Sequence, residues 1–73
     1  MDKYEKTIYA LGRRVKIWKE LFDGYCNIVS DKSKSDIEKA RYAAKANEAF
    51  IMYSELNAIL NDILSLHNSE EES

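Results

Sequence analysis

The residues best suited to chemistry are four basic side chains in the segment GRRVKIWKEL, residues 12–21, which also holds the only tryptophan. Lysine and arginine neutralise phosphates, so a basic helix face is a footprint of nucleic-acid binding. Stacking on bases needs a free aromatic ring. Tyr9 projects outward between the basic residues, whereas Trp18 falls among the expected core positions. The candidate nucleic-acid face is Lys3, Lys6, Tyr9, Arg13, Arg14 and Lys16. We favour the alternative, a solvated face paired with acids.

The residue types give little support to enzymatic or metal chemistry. Glu48, Glu55 and Asp62 recur every seven residues and so form one ridge of a helix, but di-metal bundles also need Glu-x-x-His pairs, which the sequence lacks. We expect this ridge to make ion pairs with helix 1 or with a partner chain. Cys26 is expected to act as a small buried hydrophobe, and His67 to place charge near a helix end. We therefore predict no catalytic residue, no metal and no cofactor.

Length and charge bound the class of protein. A chain of 73 residues makes one domain at most, and its single cysteine excludes an internal disulfide. No apolar run approaches the roughly 20 residues of a membrane span, and the first residues lack the apolar core of a secretory signal. We expect a cytoplasmic protein with a reduced thiol and no membrane partner. Eleven basic and seven acidic residues give residues 1–45 a net charge of +4, whereas six acids give residues 46–73 a charge of −6.

The apolar residues predict two long helices. There is no proline, and two apolar stripes alternate spacings of four and three, the pattern of a helix that packs along one face. We predict helix 1 at about residues 3–29, a loop at 30–35, helix 2 at about 36–67, and a disordered acidic tail at 68–73. A break at Gly24 is the alternative for helix 1. The stripes are Tyr4, Ile8, Leu11, Val15, Trp18, Phe22, Tyr25 and Val29, then Tyr42, Ala46, Ala49, Tyr53, Leu56, Leu60 and Ile63.

The short connection predicts an antiparallel helical hairpin. Ser35 followed by Glu38 matches a capping box, which places the start of helix 2 near residue 36. Counting back from the loop, residue i should face roughly residue 67 − i, so that Tyr25, Phe22 and Trp18 meet Tyr42, Ala46 and Ala49. Large rings of helix 1 then face the alanines of helix 2, as a packed interface requires.

Both helices carry apolar residues that one hairpin does not use. A two-helix monomer would leave these residues wet, and contiguous exposed apolar surface marks an interaction site. The simplest closure is a homodimer that forms a four-helix bundle, in which the relative orientation of the two hairpins is left open. We call these residues the seam: Ala10, Ile17, Leu21 and Ile28 of helix 1, with Ile51, Ile59 and Leu66 of helix 2.

The first seven residues, MDKYEKT, resemble the opening of the Rop family of plasmid RNA-binding proteins, which share the size, the hairpin form and the acidic tail. The resemblance implies a hairpin dimer that binds RNA through the first helix. Of that family's RNA face, a lysine would fall on Lys3. The other positions hold Ala10, Arg14 and Trp18, which depart from the family's asparagine, phenylalanine and glutamine.

Two function classes follow. The first is a small non-enzymatic adaptor or regulatory protein that binds itself and an unidentified protein partner. Short, cofactor-free chains of this kind are typical of virus- or plasmid-borne regulators. The alternative is a nucleic-acid-binding dimer that uses the basic face of helix 1, and its affinity should fall steeply with salt.

Overall fold

Two long antiparallel α-helices make up the chain. The computed structural model describes the backbone of residues 3–72 and the side chains of residues 3–70. Helix α1 spans Lys3–Val29 and helix α2 spans Asp36–Glu72, with residues 30–35 between them. The helices pack against each other along a rod of 56 × 17 × 13 Å. The predicted all-α hairpin is confirmed.

Local hydrogen bonds define the turn and the start of α2. The Ser35 hydroxyl oxygen accepts the N–H of Glu38 at 3.2 Å, which supplies a partner for a free amide of the first helical turn. In the turn, the Asp31 carboxylate accepts the hydroxyl of Ser33 at 2.7 Å and its backbone N–H at 2.9 Å. These two hydrogen bonds, the hydroxyl first, hold the pKa of Asp31 below its ordinary value of 3.8.

Helix α1 passes through Gly24 without a break. The residue has no positive φ, and a Cβ built on it would meet nothing within 4 Å. The alternative of a fold-back at Gly24 is therefore wrong. A glycine in the interior of an exposed helix lowers stability relative to alanine, so Gly24 is a weak point that the helix tolerates.

The interface between the helices is thin. Among the described side chains only Ala46 and Ala49 are buried, and the remaining stripe residues are half-buried. Near the turn, the rings of Tyr25 and Tyr42 lie 5.9 Å apart, a pair that the 67 − i rule predicts. The core of the hairpin is thus one row of contacts, with each large side chain left partly in water.

One aromatic contact departs from the predicted register. Phe22 was expected to face Ala46, but its ring lies 5.5 Å from that of Phe50. Phe50 neighbours the buried Ala49 and projects to the side of the interface, where the ring of Phe22 reaches it. Large rings can meet across the edge of an interface that small residues fill, and spacing alone does not show this.

Helix α2 extends beyond its expected end. It continues through Glu72 instead of ending near His67, so residues 68–72 are helical and the prediction of a disordered tail does not hold for them. Ser73 and residues 1–2 lie outside the described residues. The Tyr4 hydroxyl donates to Glu70 at 2.9 Å, and Lys3 Nζ lies 3.8 Å from the same carboxylate. The start of α1 is thus level with residue 70, and α2 must reach that far to cover it.

Candidate functional site

The seam lies open to solvent. Six of its seven residues are exposed and Ile28 is half-buried. The exposed fraction of its five exposed Leu and Ile side chains runs from 37% at Leu21 to 55% at Leu66. Apolar side chains of this size are normally covered in a folded protein when they are contiguous, so their distribution over the surface decides what they can do.

The seam residues of the two helices share one face of the hairpin. A groove of about 540 Å³ runs between the helices on this side, with Leu21 on one wall and Ile51 on the other. Ile59 and Leu66 continue along the same side of α2, because residues seven apart lie on one row of a helix. We call this side the seam face. The groove is lined by Trp18, Leu21, Tyr25, Lys45, Glu48, Ile51 and Met52.

On α1 the seam continues toward the N-terminus. Ala10 and Ile17 line a second, smaller groove of about 300 Å³ together with Tyr9, Arg13 and Arg14. The apolar surface is therefore bordered by basic side chains at this end. Such a border is typical of an interface, in which an apolar centre is surrounded by a polar rim.

Sequence reasoning missed two members of the exposed apolar surface. Met52 is 36% exposed and lines the main groove, and Phe50 is 48% exposed beside Phe22. Met52 could have been found, because it precedes Ile59 by seven residues and so continues the seam row. Phe50 had no such signal, since Asn57 occupies the next position of its own row.

The candidate nucleic-acid residues are brought together only in part. Tyr9 is 65% exposed, and the guanidinium of Arg13 lies 5.9 Å from the centre of its ring. Lys6 and Arg14 line one shallow groove, and Lys16 is exposed. Lys3, one turn before Lys6, has its Nζ 3.8 Å from the Glu70 carboxylate at the end of the hairpin.

The carboxylate ridge forms no ion pair within the described part of the chain. The pattern led us to expect pairs between this ridge, Glu48, Glu55 and Asp62, and basic residues of α1 or of a partner chain. Within the residues that the structure describes, no ion pair joins the ridge to Lys6, Arg13, Arg14 or Lys16. Both sets of charges are thus available to groups outside the chain.

Cys26 and His67, the remaining titratable residues considered from the sequence, lie next to the core stripe or against an aromatic ring. Cys26 is half-buried beside the core stripe. The ring of His67 meets that of Tyr4 edge-on, with centroids 5.9 Å apart, and α2 continues five residues past it, so the expected place of His67 at a helix end is corrected. Among the described residues, no three His, Cys, Asp or Glu side chains form a group that could hold a metal ion.

Neither helix, over its described residues, contains an apolar segment that could cross a membrane. Comparison of the chain with protein-family models, with characterised proteins and with solved structures yields no match. The function must therefore be inferred from the surface of the hairpin itself.

Proposed function

We propose that this chain is a non-enzymatic adaptor or regulatory protein that works as a homodimeric four-helix bundle and binds another protein. The observation that carries the proposal is the contrast between the thin interface of the hairpin and its open seam face. Only Ala46 and Ala49 are buried among the described side chains, while five Leu and Ile residues of the seam are exposed. A two-helix chain with so little core is expected to need a partner.

The magnitude supports self-association. Fully burying an Ile or Leu side chain contributes about 1.5–3 kcal/mol. Because the five large exposed residues of the seam are roughly half covered already, burying the rest contributes about 4–8 kcal/mol per chain as an upper bound. A small domain has a total stability of about 5–15 kcal/mol. Dimerisation can thus decide whether the hairpin is folded at a given concentration.

Thermal unfolding tests this proposal, because association that accompanies folding makes Tm depend on protein concentration. We expect Tm, followed by circular dichroism, to rise steadily when the protein concentration is increased a hundredfold. A Tm that does not change with concentration contradicts the proposed dimer.

The adaptor role is tested on the surface that dimerisation leaves free. Phe50 lies on the flank opposite Met52 and remains exposed when the seam face is covered. We expect the immobilised chain to capture a protein from cells of its source, with little loss at moderate salt, and Phe50→Gln to abolish capture. Ala43→Gln, at an exposed position seven residues earlier, is the matched control. Capture that is equal for both variants, or no capture, contradicts this role.

A specific observation supports nucleic-acid binding as the second candidate. The exposed ring of Tyr9 lies against Arg13, so a base can stack on the open face of the ring while the guanidinium beside it contacts a phosphate. Fluorescence anisotropy with a labelled RNA stem-loop and a labelled DNA duplex measures this directly. The candidate predicts affinity that falls steeply with salt and is lost in Arg13→Glu/Lys16→Glu. Binding that is unchanged in this variant, or no binding at low salt, refutes it.

A further inference from the structure

We infer that the two hairpins of the dimer lie with their turns at the same end, so that α1 of each chain packs on α2 of the other. This inference rests on the proposed dimer and adds its orientation and the charged residues that fix it. The occupant of the seam face is a second copy of this chain, and the reason is the distribution of charge beside the seam.

Away from the turn, the two helices border the seam with opposite charges, whereas close to the turn Lys45 of α2 lines the same groove as Glu48. Every charged residue in residues 6–17 is basic, and every charged residue in residues 46–62 is acidic. Arg14 lines the grooves beside Ala10, and Glu48 lines the groove that holds Leu21, so both charges border the seam face. Glu55 and Asp62 follow Glu48 at intervals of seven and lie on the same ridge.

The register of the hairpin shows which charges become neighbours. In cross-helix contacts, Tyr25 lies beside Tyr42 and Tyr4 beside Glu70, so residue numbers at one level add to between 67 and 74. A twofold axis parallel to the helices keeps every residue at the same height along the bundle. It places α1 of one chain side by side with α2 of the other. Arg14 then lies level with Glu55 of the partner subunit, and Lys6 with Asp62 of the partner subunit.

The opposite arrangement, with turns at the two ends of the bundle, places like charges together. In that arrangement α2 packs antiparallel on α2 of the partner subunit. If these two helices, each spanning residues 36–72, overlap fully, the numbers of facing residues add to about 108. Glu55 then lies beside its own symmetry copy, and Asp62 of the partner subunit lies beside both Glu48 and Lys45, so the repulsion that remains uncompensated is that of the Glu55 pair. Like charges facing each other disfavour an association, whereas opposite charges select it.

A distance between the turns separates the two arrangements. A spin label on Lys32→Cys, in a Cys26→Ala background, reports the turn-to-turn distance by pulsed electron paramagnetic resonance. Turns at the same end put the labels within about 30 Å, since neighbouring helices are spaced by about 10 Å and the labels add their own length. Turns at opposite ends put them about 40 Å or more apart, the length of the 27-residue α1.

Charge exchange tests the pairing itself. Arg14→Glu should raise the dissociation constant of the dimer about tenfold, because each dimer loses two ion pairs and gains two like-charge contacts. Glu55→Arg should do the same. The double variant Arg14→Glu/Glu55→Arg should return the constant to within about twofold of the original. Lys19→Glu makes the same charge change on the other flank of α1 and is the control, with little effect expected.

The outcomes separate this inference from the dimer on which it rests. A dimer with a short turn-to-turn distance and rescue by the double variant supports the inference. A dimer with a long distance, or with no rescue, overturns the orientation and leaves the dimer standing. A monomer at every concentration overturns both.

Discussion

Replacing Ile17 by glutamine should weaken self-association strongly, while the same change at Ile37 should not. Both residues are exposed isoleucines, at 50% and 73%. Ile17 lies in the seam. Ile37 is on the row of Ile51 but lies in the first turn of α2, level with the connection beyond the end of α1, so no α1 helix faces it. Glutamine is a good helix former, so neither change should disturb the helix on which it lies. The pair therefore isolates the contribution of the seam.

The expected magnitude follows from the exposed fraction. Covering the open half of an Ile side chain contributes about 0.8–1.5 kcal/mol, and a twofold dimer contains the residue twice. Ile17→Gln should therefore cost about 1.5–3 kcal/mol of association free energy. Since a factor of ten in affinity is about 1.4 kcal/mol, the dissociation constant should rise about 10–150-fold. Ile37→Gln should leave it within about threefold.

Sedimentation equilibrium measures the dissociation constants of the original chain and both variants, and circular dichroism at high concentration shows that each variant keeps its helices. Equal dissociation constants for Ile17→Gln and the original chain would refute the assignment of the seam. So would an equal rise for both variants, because the effect would then be one of general hydrophobicity.

Three further predictions concern the hairpin itself. Ala49→Leu should lower the free energy of unfolding by about 1–3 kcal/mol, because Ala49 is 0% exposed between the helices and three added carbons must force neighbouring side chains or the helices apart. The exposed control Ala43→Leu should change it by less than about 0.5 kcal/mol in urea titrations, and equal effects would contradict the packing. Gly24→Ala should raise the free energy of unfolding by about 0.8–1 kcal/mol, since its Cβ enters open space, and no gain in urea titrations would contradict an intact helix. Because hydrogen bonds from Ser33 lower the pKa of Asp31, the turn gains stability above the ordinary pKa of 3.8 and loses it as pH falls through the lower folded value. Ser33→Ala should return the pKa of Asp31 toward 3.8 in a titration followed by nuclear magnetic resonance, and an unchanged pKa would exclude this cause.

The hairpin could be predicted because its signals are local. Spacings of four and three place Trp18, Phe22 and Tyr25 on one side of a helix, and Ser35 with Glu38 marks the start of the next. Because only six residues join the two helices, they can pack along their length only in an antiparallel arrangement. The contact of Tyr25 with Tyr42 follows directly, since it lies next to the turn.

The far end of the hairpin could not be read in the same way. The helix beyond His67 is held beside the start of α1 by Tyr4, whose hydrogen bond to Glu70 spans 66 residues of sequence. From the sequence, a run of acids and serines resembles a solvated tail. The run itself does not show that Lys3 and Tyr4 lie beside it in the folded hairpin. Long-range contacts of this kind appear only once the register is known.

The sequence predicts which apolar residues belong to the seam, but it does not show that they form one surface. Ile17 and Ile51 could each have faced a different side of the hairpin. The main groove shows that Leu21 of α1 shares one face with Ile51 and Met52 of α2, and Ile17 lies one turn before Leu21 on the same side of α1. The charges beside that face can be assigned a role only after this placement. Arg14 and Glu55 can be proposed as a pair only because the register puts them at the same height along the bundle.

The measurement that tests the central claim most directly is the mass of the purified chain by light scattering over a range of concentrations. The chain has a mass of 8.5 kDa. The account predicts twice that mass at high concentration, with dissociation to the single-chain mass on dilution. A folded chain that stays at 8.5 kDa at every concentration contradicts it.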